Sequence, residues 1–274
     1  MPTTILPLAE VTEGLIAQWA AIADVAAGLT DEQWSAASVL PGWTNADIVA
    51  HIIGTESMLD GRDVEATRTV SALDHVRNPI GELNEKWVDH YRPTPRAEVL
   101  AALDEVVTVR TKALKAMTQE QFDAPSMTPA GADTYGRFMR IRVFDCWMHE
   151  IDLRDGTDGS AVTNPVPASL ALDEISASLP FVVGKRADAP KGSKVLFDIT
   201  GLSARTARIL VGDRASLVEE FDDGDASADV RLRIDAANLA RCAGGRRDAD
   251  PNAVEIDGDA ALGNAILDRM NYVI

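Results

Sequence analysis

The spacing of the apolar residues changes near the middle of the chain, and this limits the fold more than any other feature. In the first half Leu8, Val11, Leu15, Trp19, Ile22 and Ala26 recur at steps of three and four, the period that lines one face of an α-helix. Gly28 is the expected stop, and Thr30 a candidate cap for the short turn after it. Thr44, with Asp47 three residues on, resembles a capping box ahead of Ile48, His51, Ile52 and Thr55. Residues 62–78 are polar and read as loop. Pro79 opens a helix through Trp87 and Tyr91, which Pro93 and Pro95 end. From Arg96, the series Val99, Leu100, Leu103, Val106, Val107, Arg110, Leu114 and Met117 marks another long helix. The segment FDAPSMTPAGADT breaks the pattern, and a last helix of this half runs from about Thr134 to Arg154.

The second half reads differently. A helix over about Ala168–Val183, ended by Gly184, leads into VLFDIT, ARILVG, SLVEEF and DVRLRID, β-branched runs separated by Gly or Asp. These are expected to form a mostly antiparallel sheet. AANLARCAGG then reads as a helix stopped by glycines, AVEIDGD as a strand and turn, and ALGNAILDRMNYVI as a helix. The expected fold class is therefore α followed by α+β. A four-helix bundle spans 1–157, a linker rich in Gly, Thr and Pro lies near 155–167, and a small mixed domain covers 165–274.

With 43 acidic against 26 basic residues, the net charge is −17, which disfavours nucleic acid and anionic membrane as partners. No run of apolar residues is long and unbroken enough to predict a membrane span, and the start of the chain lacks the basic, apolar pattern of a secretory signal; a cytoplasmic location is expected. Cys146 and Cys242 do not make a disulfide framework and should be reduced there.

The chemistry concentrates in RIRVFDCWMHEIDLR. Asp145 and His149 stand four apart, so both leave one helical face about a turn from each other. His51 sits among apolar neighbours on another helix, and facing helices of a bundle can bring such residues together. Two imidazoles and one carboxylate would fill three positions of a tetrahedral zinc and leave the fourth open, the mark of a catalytic rather than a structural site. The same residues also fit plainer roles: a hydrogen-bonded core histidine and an Asp–His charge pair. Asp47, four before His51, competes as a ligand, although its place in the cap already accounts for it.

These segments resemble a known family. PGWTNADIVAHIIGTE is similar to the signature PGW-T-x-x-D-(x)3-H of the mycothiol-dependent maleylpyruvate isomerase family, part of the wider DinB-like metalloenzyme group. RVFDCWMHEIDLR resembles its second signature, an acid four residues before a histidine. ARCAGGRRDADPNAVEIDGDAALGNAIL resembles its C-terminal domain, a small α+β fold akin to sterol carrier proteins. The resemblance implies a DinB-like bundle in which His51, Asp145 and His149 ligate a divalent metal, zinc first among the candidates. The family usually has Glu at the acidic position, so Asp145 departs from it. The resemblance further implies a low-molecular-weight thiol, mycothiol, as cofactor. Its thiolate would add to a conjugated double bond, permit rotation and leave, or would attack an electrophile and stay. Small electrophilic or unsaturated acids are the implied substrates. The alternative is a metal- or ligand-binding regulatory protein of the same fold without turnover.

Other positions carry weaker expectations. Asp152, three after His149, would orient that ring or pair with Arg142 or Arg154. Arg246, in a segment similar to the family's "GR" motif, would hold a substrate carboxylate in bidentate fashion; Arg247 serves equally, and a solvated surface arginine is the plain reading. Trp43 and Trp147 are expected as core or pocket wall. Cys146 should face away from the metal, and His75 and His90 should lie at the surface.

Overall fold

The computed structural model describes residues 3–273, which divide into two compact units, 1–162 and 163–274. In the first unit the described residues form helices α1 (Leu8–Gly28), α2 (Asp31–Ser35), α3 (Asn45–Leu59), α4 (Pro79–Tyr91), α5 (Arg96–Ala116), α6 (Gln119–Phe122) and α7 (Tyr135–Asp155). A hairpin of β1 (Pro125–Thr128) and β2 (Gly131–Thr134) precedes α7. Packing runs in a ring: α1 touches α7 and α5, and α3 touches both α5 and α7. The predicted stripe of α1 is the buried one, with Val11, Leu15, Trp19 and Ile22 fully covered. Ile48 and Ile52 of α3, Leu103 and Val106 of α5, and Met139 and Trp147 of α7 complete the core. Each such side chain contributes roughly 1.5–3 kcal/mol by leaving water.

The helix starts follow local chemistry. Thr44 Oγ1 accepts from the Asp47 amide at 3.2 Å and Asp47 Oδ2 accepts from the Thr44 amide at 2.9 Å, a reciprocal box worth about 1 kcal/mol. Thr30 does the same for α2 with Gln33. On the far side of α3, α4 packs so closely that Gly54 has no room for a side chain. A Cβ there would lie 2.3 Å from Trp87 Cβ.

Two local expectations need correction. The segment after Phe122, read as pattern-breaking loop, is the β1–β2 hairpin; its short strands hold Asp133, whose carboxylate accepts from the Thr4 amide at 2.8 Å and Thr4 hydroxyl at 3.0 Å. Four-residue strands of mixed polarity offer no apolar alternation to detect. Gly184 also does not stop its helix. In the second unit α8 (Pro165–Phe181) continues into a π-helical turn, Val182–Arg186, that contains it.

The rest of this unit comprises β3 (Lys194–Thr200), β4 (Arg205–Val211), β5 (Ala215–Val218), β6 (Val230–Asp235), α9 (Ala236–Ala243), β7 (Glu255–Gly258) and α10 (Ala260–Asp268). The sheet order is β5-β4-β3-β6-β7, with β3 and β6 parallel and the other neighbours antiparallel. Val195, Phe197 and Ile199 on β3, with Ile209 on β4 and Leu232 and Ile234 on β6, are buried. On β6 they alternate with Arg231, Arg233 and Asp235 as one covered face requires, whereas β3 also buries Leu196 on its other side, and α8, α9 and α10 pack against these strands. Residues 165–186 are long and apolar enough to cross a membrane by length and composition, but 56% of that stretch is buried within the fold.

Candidate metal centre

α7 supplies most of the site because residues at steps of three and four share a face. Arg142, Asp145, His149 and Asp152 stand at steps of three, four and three. α3 brings His51 to the same place from 94 residues away. His51 Nε2 lies 3.2 Å from Asp145 Oδ2, and His149 Nε2 lies 3.7 Å from Asp145 Oδ1. The two imidazole centroids are 4.9 Å apart. One donor atom from each of the three residues falls within 4.8 Å of the others. The imidazoles are buried, whereas the Asp145 side chain is 30% exposed, so the cluster is reached from solvent on the carboxylate side.

The protonation states suit ligation. Burial pushes the His51 imidazole below its ordinary value, further than Asp145 pulls it back, which favours the neutral ring. Desolvation would raise the Asp145 carboxyl, but Arg142, His149 and His51 together hold it well below the usual carboxylate range. A metal needs neutral imidazole and ionised carboxylate, and these residues provide both. His149 Nδ1 lies 2.9 Å from Asp152 Oδ2. Of the two expected roles for Asp152, the structure thus brings it to His149; Arg142 and Arg154 pair with other acids. Asp47 is occupied by its cap and by Arg92 Nε at 3.3 Å.

Trp43 forms one wall, its ring 5.4 Å from that of His51 and 6.3 Å from that of His149. Trp147 is core, 1% exposed. Cys146 is buried, its thiol pushed up by desolvation, and Arg142 Nη2 lies 3.4 Å from its sulfur. Arg246 belongs to the second unit, where its Nη1 donates to the Gly244 carbonyl at 2.9 Å. Arg247 is exposed and turns to its neighbour Asp248.

Two buried networks were not anticipated. Glu56, fully buried, accepts from Arg142 Nε at 2.9 Å through Oε1 and from Arg110 Nε at 3.0 Å through Oε2. Glu85, also fully buried, accepts from Trp43 Nε1 at 2.8 Å and Arg92 Nη1 at 2.7 Å, and lies 2.9 Å from His75 Nε2. His75 is therefore only partly exposed, at 21%, and fastens the 62–78 segment to α4. His90 is exposed as expected, its ring against Trp87 and Tyr91. One signal could have found the first network. Arg142 precedes Asp145 by three, so an arginine had to share the buried face with the candidate ligand.

The family model for the mycothiol maleylpyruvate isomerase N-terminal domain matches residues 15–154, and that for the MDMPI C-terminal domain matches residues 169–265. A crystal structure of the mycothiol-dependent maleylpyruvate isomerase is similar with a TM-score of 0.60 at 15% identity, covering 92% of this chain and 93% of that chain. A histidine-to-alanine mutant of that isomerase gives 0.59 at the same identity and coverage. At such identity the likeness concerns the fold alone. No curated protein matches the chain. With both domain models matched in order along most of its length, the chain belongs to the mycothiol maleylpyruvate isomerase family.

Proposed function

We propose that the protein is a metal-dependent cytoplasmic enzyme that uses a low-molecular-weight thiol of the mycothiol type on a small electrophilic or unsaturated acid, as an isomerase or an S-transferase. The observation that carries this reading is the convergence of His51, Asp145 and His149 from two helices around a point open to solvent. Two imidazoles and a carboxylate suit zinc and leave one of its four positions for an exogenous group. A divalent ion held there would keep a coordinated thiol ionised at neutral pH, which is the nucleophilic form.

The chain's own residues do the rest. With an ion on His149 Nε2, Asp152 Oδ2, 2.9 Å from Nδ1, would accept the proton held there and fix the ring so that Nε2 faces the other two donors. The Asp145 carboxylate supplies the negative charge. Trp43, its indole held by Glu85, closes one side with an apolar surface and limits water there. Arg246 is the proposed partner for a substrate carboxylate, through the planar fork that guanidinium offers.

Elemental analysis of the purified protein, followed by incubation with mycothiol and maleylpyruvate, tests the proposal. Stoichiometric metal and thiol-dependent isomerisation are expected, both lost in H51A. Unchanged metal content and unchanged thiol chemistry in H51A would refute it. Binding of metal and thiol with no turnover of maleylpyruvate or of a generic electrophile would instead identify a ligand-binding or regulatory protein.

A further inference from the structure

Asp145 is not a free carboxylate. The guanidinium of Arg142, one helical turn earlier, donates through Nη1 to Asp145 Oδ2. Each of its other nitrogens is engaged as well: Nε donates to Glu56 Oε1 at 2.9 Å and Nη2 lies against the Cys146 sulfur. The Arg142 side chain is 4% exposed and Glu56 is fully covered. Glu56 is fixed in turn by Arg110, which donates to the Tyr135 hydroxyl at 2.9 Å. A chain of buried polar groups, Tyr135–Arg110–Glu56–Arg142, thus ends on one oxygen of the candidate ligand. No hydrogen bond from the described residues reaches the other oxygen, Oδ1, which faces His149.

We infer that Arg142 is a positioning residue that makes Asp145 a one-oxygen ligand. With Oδ2 committed to a guanidinium that cannot turn away, the carboxylate offers a single oxygen to an ion and keeps its coordination number low. Arginine suits this task because its planar fork presents donors in fixed directions to two acids at once, whereas a lysine ammonium is a compact charge on a flexible stem whose three donors rotate and fix no direction.

The inference rests on the proposed metal site, and its test separates the two. Co2+ is titrated into the metal-free protein, with affinity read by chelator competition and coordination number by the intensity of the visible d–d absorption. Wild type is expected to bind one Co2+ with the strong absorption of a four-coordinate ion. R142K keeps the buried charge but not the fork. R142Q removes both. Metal affinity should fall by about 10- to 100-fold, the usual effect of losing a group that orients a ligand. The strong absorption should weaken in the order wild type, R142K, R142Q, as the second carboxylate oxygen joins the ion. A purely structural role would lower the melting temperature and leave the spectrum of the bound ion alone. If R142Q does not fold, R142K alone decides. Wild-type affinity and spectrum in R142K, and in R142Q where it folds, overturn the inference while the metal site stands. Failure of the wild type to bind Co2+ at His51, Asp145 and His149 overturns both.

Discussion

Removing the acid behind His149 should weaken metal binding in two graded steps. Asp152 Oδ2 lies 2.9 Å from His149 Nδ1, and the Asp152 residue is 1% exposed. A hydrogen bond to a charged group is worth about 1.5–3 kcal/mol and a neutral one about 0.5–1.5. Asp152→Asn keeps an acceptor of the same shape but loses the charge, a difference of about 1–1.5 kcal/mol, or roughly five- to tenfold in affinity. Asp152→Ala removes the acceptor and leaves Nδ1–H buried without it, which costs about 1–3 kcal/mol and carries the loss toward the hundredfold end of what such partners contribute. The assay is Zn2+ titration against a chelator of known affinity, with circular dichroism of the metal-free variants as a check on folding. The expected order is wild type, D152N, D152A. Equal affinities in all three folded proteins would show that Asp152 does not set the tautomer of His149, and the reasoning would fail.

The hairpin, the packing of α3 and the end of α1 give three further predictions. For Asp133, desolvation is outweighed by hydrogen bonds from Thr4, Arg137 and the Thr134 amide, so its carboxyl lies below the ordinary 3.8. A depressed carboxyl stabilises the fold above its unfolded value, and that contribution is lost as pH falls through the folded value. Thermal melts between about pH 5 and about pH 3 should therefore show a larger loss for wild type than for D133N; parallel losses would contradict this. Gly54→Ala sets a helix-propensity gain of about 1 kcal/mol against a Cβ 2.3 Å from Trp87 Cβ, an atom next to the backbone that cannot swing aside. Overpacking of this kind costs about 1–3 kcal/mol, so the melting temperature should fall. Gly28→Ala, with nothing within 4 Å of the added carbon, should leave it unchanged or raise it.

The strong helical periods made most of the first unit legible, since the buried residues of α1 and α5 are the ones that recur at three and four. The spacing of Asp145 and His149 could be read in the same way, because it depends only on helix geometry. The approach of His51 could not, since it depends on how α3 and α7 meet, and family resemblance supplied it. The long-range partners were hidden for the same reason. Glu56 and Glu85 stand in helices where a charged residue ordinarily means a solvated face, and nothing in their local sequence announces full burial, whereas Arg110 fell on the apolar stripe of its helix but its acid partner was not legible. His75 looked exposed because its segment is polar, yet its partner Glu85 lies inside. The β1–β2 hairpin escaped because its strands are too short to show alternation.

An unfolded chain can present Asp145 and His149 to an ion from a single stretch of sequence, but His51 arrives only when α3 has docked on α7. If the three residues hold an ion, its affinity and the stability of residues 1–162 would be one linked quantity. At a free ion concentration of about a hundred times the dissociation constant, the native state would gain about 2.7 kcal/mol. Scarcity of the ion would then be felt first as a looser scaffold, through faster proteolysis or exchange in the helices that carry the ligands, and the supply of a trace element would set how long the protein persists.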